Sequence, residues 1–483
     1  MRNRPCPRSL TALALIAAVL LLQATSPAVA DGGPAGTDQS FAQSLGDREL
    51  TVTVRRAEAI PGPVRVDVVT HRGTPAGSLT LTLVPQDAAG NLSAPGRATG
   101  HAEVRLGPRP DLYGATVRVD RPGPWELELG DGVRIARIPF VLPAKVIPPA
   151  ERAAYGGFVA AGACLLCALL AAARGRRAGL ALVAAGGMVA ATAVATTGAL
   201  LSPTIRPPAV TGTETDATLA NTRDPYADAA VPRGDVARPP VNIRVQVPAV
   251  AAGRRTHLRL LLTDGSTGRP VDDLLPHHGA LMHLVVISPT GRLWHLHPIR
   301  VAAGEYRVEL TPYESGRFAV SVELARRGGS VQLIRPAGFS VAGPVRAGGA
   351  SKTLGLGTRS IEGTRITVTA DRLVATGSTT LAVTVDAALQ LWLGMQGHLI
   401  VAGPVSTSFE QAPVWLHGHA MAPGRPTANP PDETVTAFGP QVRFTTTFPY
   451  PGRYHLWIQV ERDYAVLTVP LVLDVRSANG GQR

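Results

Sequence analysis

The chain has 483 residues, with 47 Lys and Arg against 35 Asp and Glu, so its formal net charge is +12. Arginine supplies nearly all of the positive charge and is scattered rather than clustered, so the sequence does not predict nucleic-acid binding. Three cysteines, all in the signal or apolar segments described below, exclude a disulfide framework in the exported domains. Cys164 and Cys167 are either a redox or metal pair or small apolar residues of a membrane helix, and we favour the second interpretation.

Residues 1–30 have the three parts of a secretory signal peptide. Arginines at positions 2, 4 and 8 precede the apolar run Leu10–Leu22, and Ala28-Val29-Ala30 provides the small residues of a cleavage site. Residues 31–149 then alternate apolar and polar positions in short runs broken by Gly and Pro. This pattern predicts an exported immunoglobulin-like β-sandwich with flanking linkers.

Residues 150–202 are predicted to form a transmembrane helical hairpin. Tyr155–Ala173 and Ala178–Leu201 are uncharged, and each is long enough to cross a bilayer. The connection between them contains Arg174, Arg176 and Arg177, which indicates the cytoplasmic side. Both long flanks are therefore expected on the extracytoplasmic side of the cell membrane.

The rest of the chain is predicted to be a linker and two related domains. Residues 203–240 are rich in Pro and Thr and lack periodicity, as expected for a linker. Residues 241–346 and 347–483 repeat one pattern at a period of roughly 120 residues, and each is interpreted as a histidine-containing β-sandwich. The predicted fold is all-β: three immunoglobulin-like β-sandwich domains, with the membrane hairpin between the first and the second.

Histidines in the two repeats suggest metal sites. In a strand, residues i and i+2 point to one face, so the two histidines of an H-x-H motif can converge on one ion. Imidazole suits copper, zinc and nickel, and thioethers favour Cu(I). Three methionines lie near these histidines in sequence, and the last strand adds another histidine. The predicted ligands are His283, His295, His297 and Met282 in the first repeat, and His398, His417, His419, Met395, Met421 and His455 in the second. His257, His277 and His278 are interpreted as solvent-facing.

The string GRPVDDLLPHHGALMHLVVIS, followed by WHLHP, resembles a bacterial exported domain of proposed heavy-metal-binding proteins, and LGMQGHLIV with its H-x-H resembles the same domain again. The N-terminal domain resembles YtkA-like and FixH-like immunoglobulin-type domains. The second repeat departs from the pattern because no proline follows its H-x-H motif. The resemblance implies a membrane-anchored metal-binding protein with β-sandwich domains.

Two functions from different classes remain open. The first is binding of a transition metal, copper above all, for storage, buffering or delivery, with an envelope or metal-handling protein as a partner. The alternative is an extracytoplasmic interaction or adhesion module whose histidines are structural. The sequence contains no G-x-S-x-G motif, P-loop or H-E-x-x-H motif, so no enzymatic activity is predicted.

Overall fold

The computed structural model describes residues 38–55, 57, 59–86, 99–142, 149–174, 178–202, 239–326, 330–343, 355–421 and 436–478. The predicted signal peptide and residues 203–238 of the predicted linker lie outside the described residues. The fold is mostly β, in several antiparallel sheets, with two apolar helices between the first β domain and the later ones. The predicted fold class is confirmed. By contacts between backbones, the two helices form one compact unit and the β domains another.

The first domain consists of two four-stranded antiparallel sheets. Valines at alternate positions of its third strand, such as Val64 and Val66, face the core, while Arg65 between them faces solvent. The strand orders are β1-β2-β3-β6 and β5-β4-β7-β8. The strands are β1 (Gln39–Leu45), β2 (Arg48–Val54), β3 (Gly62–Thr70), β4 (Gly77–Pro85), β5 (Gly100–Leu106), β6 (Leu112–Val119), β7 (Gly123–Gly130) and β8 (Ile135–Leu142).

Two helices follow, α1 (Pro149–Ala173) and α2 (Ala178–Leu201). Both are long and apolar enough to cross a membrane. They pack antiparallel through small residues: a Cβ on Gly157 would meet Ala195 at 2.8 Å, and one on Gly198 would meet the backbone nitrogen of Ala154 at 2.9 Å. Such close approach of backbones is typical of helix pairs in lipid, where small residues replace the hydrophobic effect as the basis of packing.

The second domain again consists of two sheets. One has the order β14-β15-β10-β9, and the other has the order β11-β16-β12-β13, with β17 and β18 also paired to β16. The strands are β9 (Val241–Gln246), β10 (Thr256–Asp264), β11 (Leu274–Leu275), β12 (Met282–Ile287), β13 (Leu293–Leu296), β14 (Ile299–Ala302), β15 (Glu305–Leu310), β16 (Gly316–Arg326), β17 (Val331–Ile334) and β18 (Phe339–Val341).

The third domain repeats this plan. Its sheets have the orders β19-β20-β21-β26 and β24-β23-β27-β22-β25, and β28 pairs with β27. The strands are β19 (Gly357–Ile361), β20 (Thr364–Ala370), β21 (Ser378–Val385), β22 (Leu389–Gln390), β23 (Met395–Gly403), β24 (Val414–Met421), β25 (Ala437–Phe438), β26 (Gln441–Thr447), β27 (Gly452–Arg462) and β28 (Ala465–Val475).

Strand register relates the two histidine-bearing domains residue by residue. In the second domain Val285 pairs with His295, and in the third Ile400 pairs with His417. His283 lies opposite Glu323 on β16, and its counterpart His398 lies opposite Gln459 on β27. Strands β12, β13 and β16 therefore correspond to β23, β24 and β27.

Strands β12 and β23 are buried along their whole length because both of their faces are covered. One face lies on the core of its own domain. The other packs against the neighbouring domain, where Val285 and Ile287 meet Ile400 and Trp457. A strand that is covered on both faces has apolar residues at consecutive positions, which explains the sequences HLVVI and HLIVA.

The first and second domains share one continuous cluster of buried apolar side chains. Arg300 of the second domain lies across this junction and is 3 % exposed. Its guanidinium pairs with Asp272 at 2.7 Å and with Glu126 of the first domain at 2.7 Å. The two carboxylates compensate the charge of the buried guanidinium. Together with the shared apolar cluster, this ion pair forms a packed interface between the two domains.

Candidate metal centre

Eight of the twelve histidines of the chain lie in one cluster where the second and third domains meet. His417 of the third domain has its ring centroid 5.0 Å from that of His283 and 4.9 Å from that of His295. A second link joins His278 and His419, whose centroids are 3.8 Å apart. Ligand atoms within 4.8 Å of one another define three groups in the cluster: His283, His295 and His297; His398, His417 and His419; and His277, His278 and Glu323.

The first group is built on one antiparallel strand pair. His283 lies on β12, His295 on the adjacent β13, and His297 directly after that strand. Trp294 points to the opposite face and packs on Phe318 in the core, with ring centroids 5.9 Å apart. The alternation of a strand therefore places both histidines of the H-x-H motif on the face that meets the third domain. All three histidines are buried.

Hydrogen bonds fix where His283 and His295 carry their protons. Nε2 of His283 donates to the carbonyl oxygen of His277 at 3.0 Å, so its Nδ1 carries a lone pair. Nδ1 of His295 donates to Oε1 of Gln459 at 2.8 Å, so its Nε2 also carries a lone pair. The Gln459 amide is oriented by its own donation to Thr468 at 3.0 Å.

These two lone pairs face each other, because Nδ1 of His283 and Nε2 of His295 are only 3.2 Å apart. Such an approach needs a proton or another cation between the nitrogens. Burial, and then the charges that neighbouring imidazoles would carry, lower the pKa of both histidines well below the usual value, so a proton is disfavoured. A metal ion satisfies both nitrogens at once.

His297 is oriented by the first domain. Its Nδ1 donates to Oε1 of Glu49 at 2.5 Å, and Ser44 donates to the other oxygen of that carboxylate at 2.6 Å. Burial would raise the pKa of Glu49, but His297 lowers it below the usual value, so the carboxylate is ionised. The remaining nitrogen of His297, Nε2, is buried and has no hydrogen-bond partner among the described residues. A carboxylate behind a histidine is the arrangement that orients metal-binding imidazoles in proteins.

The second group has the largest number of unsatisfied atoms. His398 is fully buried, and the His417 side chain is 3 % exposed. Within the described parts of the chain, seven cluster nitrogens lack a hydrogen-bond partner: Nδ1 of His278, Nε2 of His297, both nitrogens of His398, both nitrogens of His417 and Nε2 of His419. Buried polar atoms in folded proteins are nearly always partnered, so this concentration of unpartnered nitrogens marks a group that could hold a metal ion.

The third group was missed by the sequence analysis, which interpreted His277 and His278 as solvent-facing. Both are half-buried, and His278 lies between His277 and His419. They stand in a tight turn in which His277 and Ala280 exchange backbone hydrogen bonds, and φ is +49° at His278 and +69° at Gly279. The adjacent pair of histidines before a glycine, close to the G-x-P-V-x-D-L string, was the signal that could have located this turn.

Glu323 joins the third group to the second. Its Oε1 lies 3.4 Å from Nε2 of His277, and its Oε2 lies 3.4 Å from Nδ1 of His417. Burial would raise its pKa, but contacts with these two histidines lower it below the usual value. Burial also lowers the pKa of His278 to about 4 and that of His419 to about 3. At neutral pH Glu323 is therefore a carboxylate, and His278 and His419 are neutral imidazoles, which are the forms that bind metals.

The other predicted ligands have different surroundings. Met282 points away from His283 into the hydrophobic core of its domain, and Met395 is buried at the start of β23. His455 packs against Phe409, with ring centroids 4.9 Å apart, and belongs to none of the three groups. The side chain of Met421 lies outside the described residues.

The fold and the site together define a class: tandem immunoglobulin-like β-sandwiches with a buried histidine cluster between two of them. Residues 239–335 and 359–477 match the family described as "Domain of unknown function (DUF8832)", and these segments fall on the two histidine-bearing domains. Comparison with curated proteins gives no match.

Three solved structures show how distant the structural likeness is. The fibronectin(III)-like modules of Clostridium thermocellum CbhA are 11 % identical, with a TM-score of 0.14, and the match covers 50 % of this chain and 98 % of that one. FdeC, an Escherichia coli adhesin, is 11 % identical with a TM-score of 0.14, and the match covers 92 % of this chain and 98 % of that one. A tetra-tandem repeat of a large adhesion protein is 12 % identical with a TM-score of 0.17, and the match covers 91 % of this chain and 82 % of that one.

Proposed function

We propose that the chain is a membrane-anchored protein that binds a transition metal, copper, in the histidine cluster between its second and third domains. Its role is storage, buffering or delivery of the metal on the extracytoplasmic side, without catalysis. Delivery requires a metal-handling partner, which would receive the ion from this cluster.

The observation that carries the proposal is the pair of facing lone pairs on His283 and His295, 3.2 Å apart in a buried site. Without a cation this contact is repulsive. The unpartnered nitrogens of His398, His417 and His419 surround it. A structural role for these histidines would require hydrogen-bond partners that the described residues do not provide.

Copper is favoured over zinc and nickel by the chemistry of the ligands. For a site built from imidazole nitrogens, affinity for divalent ions of the first row is highest for Cu²⁺. The buried Met282 belongs to the core, so the case for copper rests on the imidazoles rather than on thioether ligands.

The packing of the first domain supports placing both flanks of the helical hairpin on the same side of a membrane. The first domain precedes α1 and the second follows α2, yet the two share a buried apolar cluster and the Arg300–Glu126 ion pair. Domains in contact must lie in one compartment, which agrees with an even number of crossings. The arginines between the helices favour the extracytoplasmic compartment for these domains.

The test is a metal titration of the full chain, purified in detergent and freed of metal with a chelator. Cu²⁺, Cu⁺ under reducing conditions and Zn²⁺ are each added, and the thermal midpoint of the β domains is measured. At free copper of 100 times its dissociation constant the folded state gains about 2.7 kcal/mol, so a clear upward shift is expected, larger than with zinc.

The variant His417→Ala with His419→Ala is expected to lose most of this copper-dependent shift, while the matched control His101→Ala with His257→Ala, two exposed histidines, keeps it. The interaction-module alternative predicts the opposite pattern. In that case no metal shifts the midpoint of the wild-type chain, and the cluster variant unfolds at a lower temperature without metal because it has lost buried packing.

A further inference from the structure

The third ligand group stands at a turn that both histidine-bearing domains share. In the second domain the turn is His277-His278-Gly279-Ala280, and in the third it is Trp392-Leu393-Gly394-Met395. Each turn ends three residues before a fully buried histidine on the next strand, His283 or His398. In both, the first and last residues exchange backbone hydrogen bonds, and the two central residues have positive φ.

The two domains differ at each of the three positions that form this group. His277 corresponds to Trp392, His278 to Leu393, and Glu323 to Gln459, as strand register requires. The third domain thus forms the same turn and the same strand pairing with residues that cannot hold a metal ion there. The fold therefore does not need two histidines and a carboxylate at these positions.

Glu323 and Gln459 also act differently on the neighbouring domain. Gln459 of the third domain accepts a hydrogen bond from His295 of the first group. Glu323 of the second domain directs one oxygen at His277 and the other at His417, each at 3.4 Å. A carboxylate with one oxygen towards each of two ligand groups has the arrangement that bridges two metal ions.

We propose that the three groups form one polynuclear metal site, in which His277 and His278 hold a third ion and Glu323 bridges it to the ion of the His398, His417 and His419 group. This inference rests on the proposed function. Ring contacts of 3.8 Å between His278 and His419 and 5.0 Å between His283 and His417 leave no protein layer between the groups. The carboxylates of Glu323 and Glu49, each in contact with histidines of the cluster, supply negative charge that offsets the repulsion between neighbouring cations.

The chain provides the variant that tests this site. His278→Leu with Glu323→Gln places in the second domain the residues that the third carries at the same positions, so it is compatible with the fold. The matched control, His257→Leu with Glu103→Gln, makes the same changes at exposed positions. Full-length protein in detergent is loaded with Cu²⁺, dialysed, and its copper per chain is measured by mass spectrometry of the intact protein.

We expect three ions per chain for the wild type and the control, one for each ligand group, and two for the variant. The electron paramagnetic resonance intensity of the wild type should also fall short of its copper content, because neighbouring Cu²⁺ ions couple. Two ions or fewer in the wild type, or equal loading of wild type and variant, would overturn the proposal that His277, His278 and Glu323 bind a third ion. No bound copper in the wild type would instead overturn the proposed function itself.

The thermal midpoint of the metal-free proteins shows whether the variant is folded. If the double variant fails to fold, the single variants Glu323→Gln and His278→Leu are each compared with the wild type. Each should lose one ion, and retention of all the ions by both would contradict the proposal.

Discussion

At the scale of single residues, hydrogen bonds to side chains and backbone behind the histidines decide which imidazole nitrogen is available. His295 donates to Gln459 and His283 to the carbonyl of His277, so that each of these two histidines directs an unprotonated nitrogen inwards, while His297 donates to Glu49. The supporting groups come from three different domains or turns. The site is therefore preorganised by hydrogen bonds from residues behind the ligating histidines.

Gln459→Leu tests this preorganisation with a side chain of similar size. Without the amide oxygen, His295 can move its proton to Nε2 and donate it to His283 across the 3.2 Å contact. The metal loses a ligand, and copper affinity should fall about 10- to 100-fold. The metal-free thermal midpoint should change little, since one hydrogen bond replaces another. The exposed Gln441→Leu is the control, and unchanged affinity in Gln459→Leu would contradict the assignment of tautomers.

His71 of the first domain forms a separate buried pair with Glu461 of the third, with Nδ1 and Oε1 2.6 Å apart. Burial would lower the pKa of His71, but the Glu461 carboxylate raises it above the usual value. The folded state therefore binds this proton more tightly than the unfolded state does. Its contribution to stability is complete below the unfolded pKa of about 6.5 and is lost as the pH rises through the raised folded pKa.

Replacing both partners, His71→Phe with Glu461→Leu, should consequently leave the metal-free protein least stable relative to the wild type at acidic pH, because the wild-type pair is fully ionised there and the variant keeps no carboxylate that could titrate. The difference from the wild type should shrink between pH 6 and pH 9. Thermal midpoints measured across this range provide the check, with the exposed His101→Phe as the control. A difference that stays constant or grows with pH would show that His71 is not protonated in the folded chain.

At the scale of elements, the two turns that precede His283 and His398 lie against each other. A Cβ on Gly279 would stand 3.1 Å from Cβ of Leu393 and 3.3 Å from its backbone oxygen, and the φ of Gly279 is +69°. Gly253 has a similar φ of +78° but no atom within 4 Å of the same position. Comparing substitutions at these two glycines therefore distinguishes the cost of backbone strain, present at both, from the cost of crowding between the domains, present only at Gly279.

Gly253→Ala should cost about 1–2 kcal/mol, the strain of a left-handed residue with a side chain. Gly279→Ala should cost more and should also reduce copper loading, because the turn that carries His277 and His278 has to move. Thermal midpoints and copper content of both variants are compared with the wild type. Equal destabilisation, with full loading of both, would mean that the turn tolerates displacement from Leu393.

At the scale of the whole molecule, the first domain contributes to the histidine cluster although two helices separate it from the other β domains in sequence. Glu49 orients His297, and His71 pairs with the third domain. The domains before and after the two helices are therefore in contact with each other. In the proposed topology they meet on one side of the membrane, and a chain whose hairpin failed to insert in this orientation would lose the carboxylate behind His297.

This topology predicts the location of fused reporters. A reporter at Arg176 should be cytoplasmic, because the arginine-rich connection favours that side, while reporters at Asp111 and Ala350 should be outside. Activity of an enzyme that works in one compartment only provides the measurement. A cytoplasmic signal from the fusion at Asp111 or at Ala350 would rule out the hairpin topology.

The sequence by itself determined the features that depend on local periodicity. Uninterrupted apolar runs gave the two helices, alternation gave the β-sandwiches, and the H-x-H spacing with the internal repeat gave the histidines of the first two groups. These inferences hold because the side-chain direction follows the periods of a helix and a strand. The same rule placed His455 in the candidate site, since periodicity could not show that its neighbours are Phe409 and Trp457.

Only the tertiary structure decided that the histidines of the two repeats lie in one cluster. Glu49 is separated from His297 by 248 residues and Gln459 from His295 by 164, and Glu323 reaches the third domain from a strand with no distinctive motif. Contacts at such distances arise from the docking of whole sheets through buried apolar faces. That docking depends on the summed shape and burial of many side chains, and no local pattern in the sequence encodes which polar residues it brings together.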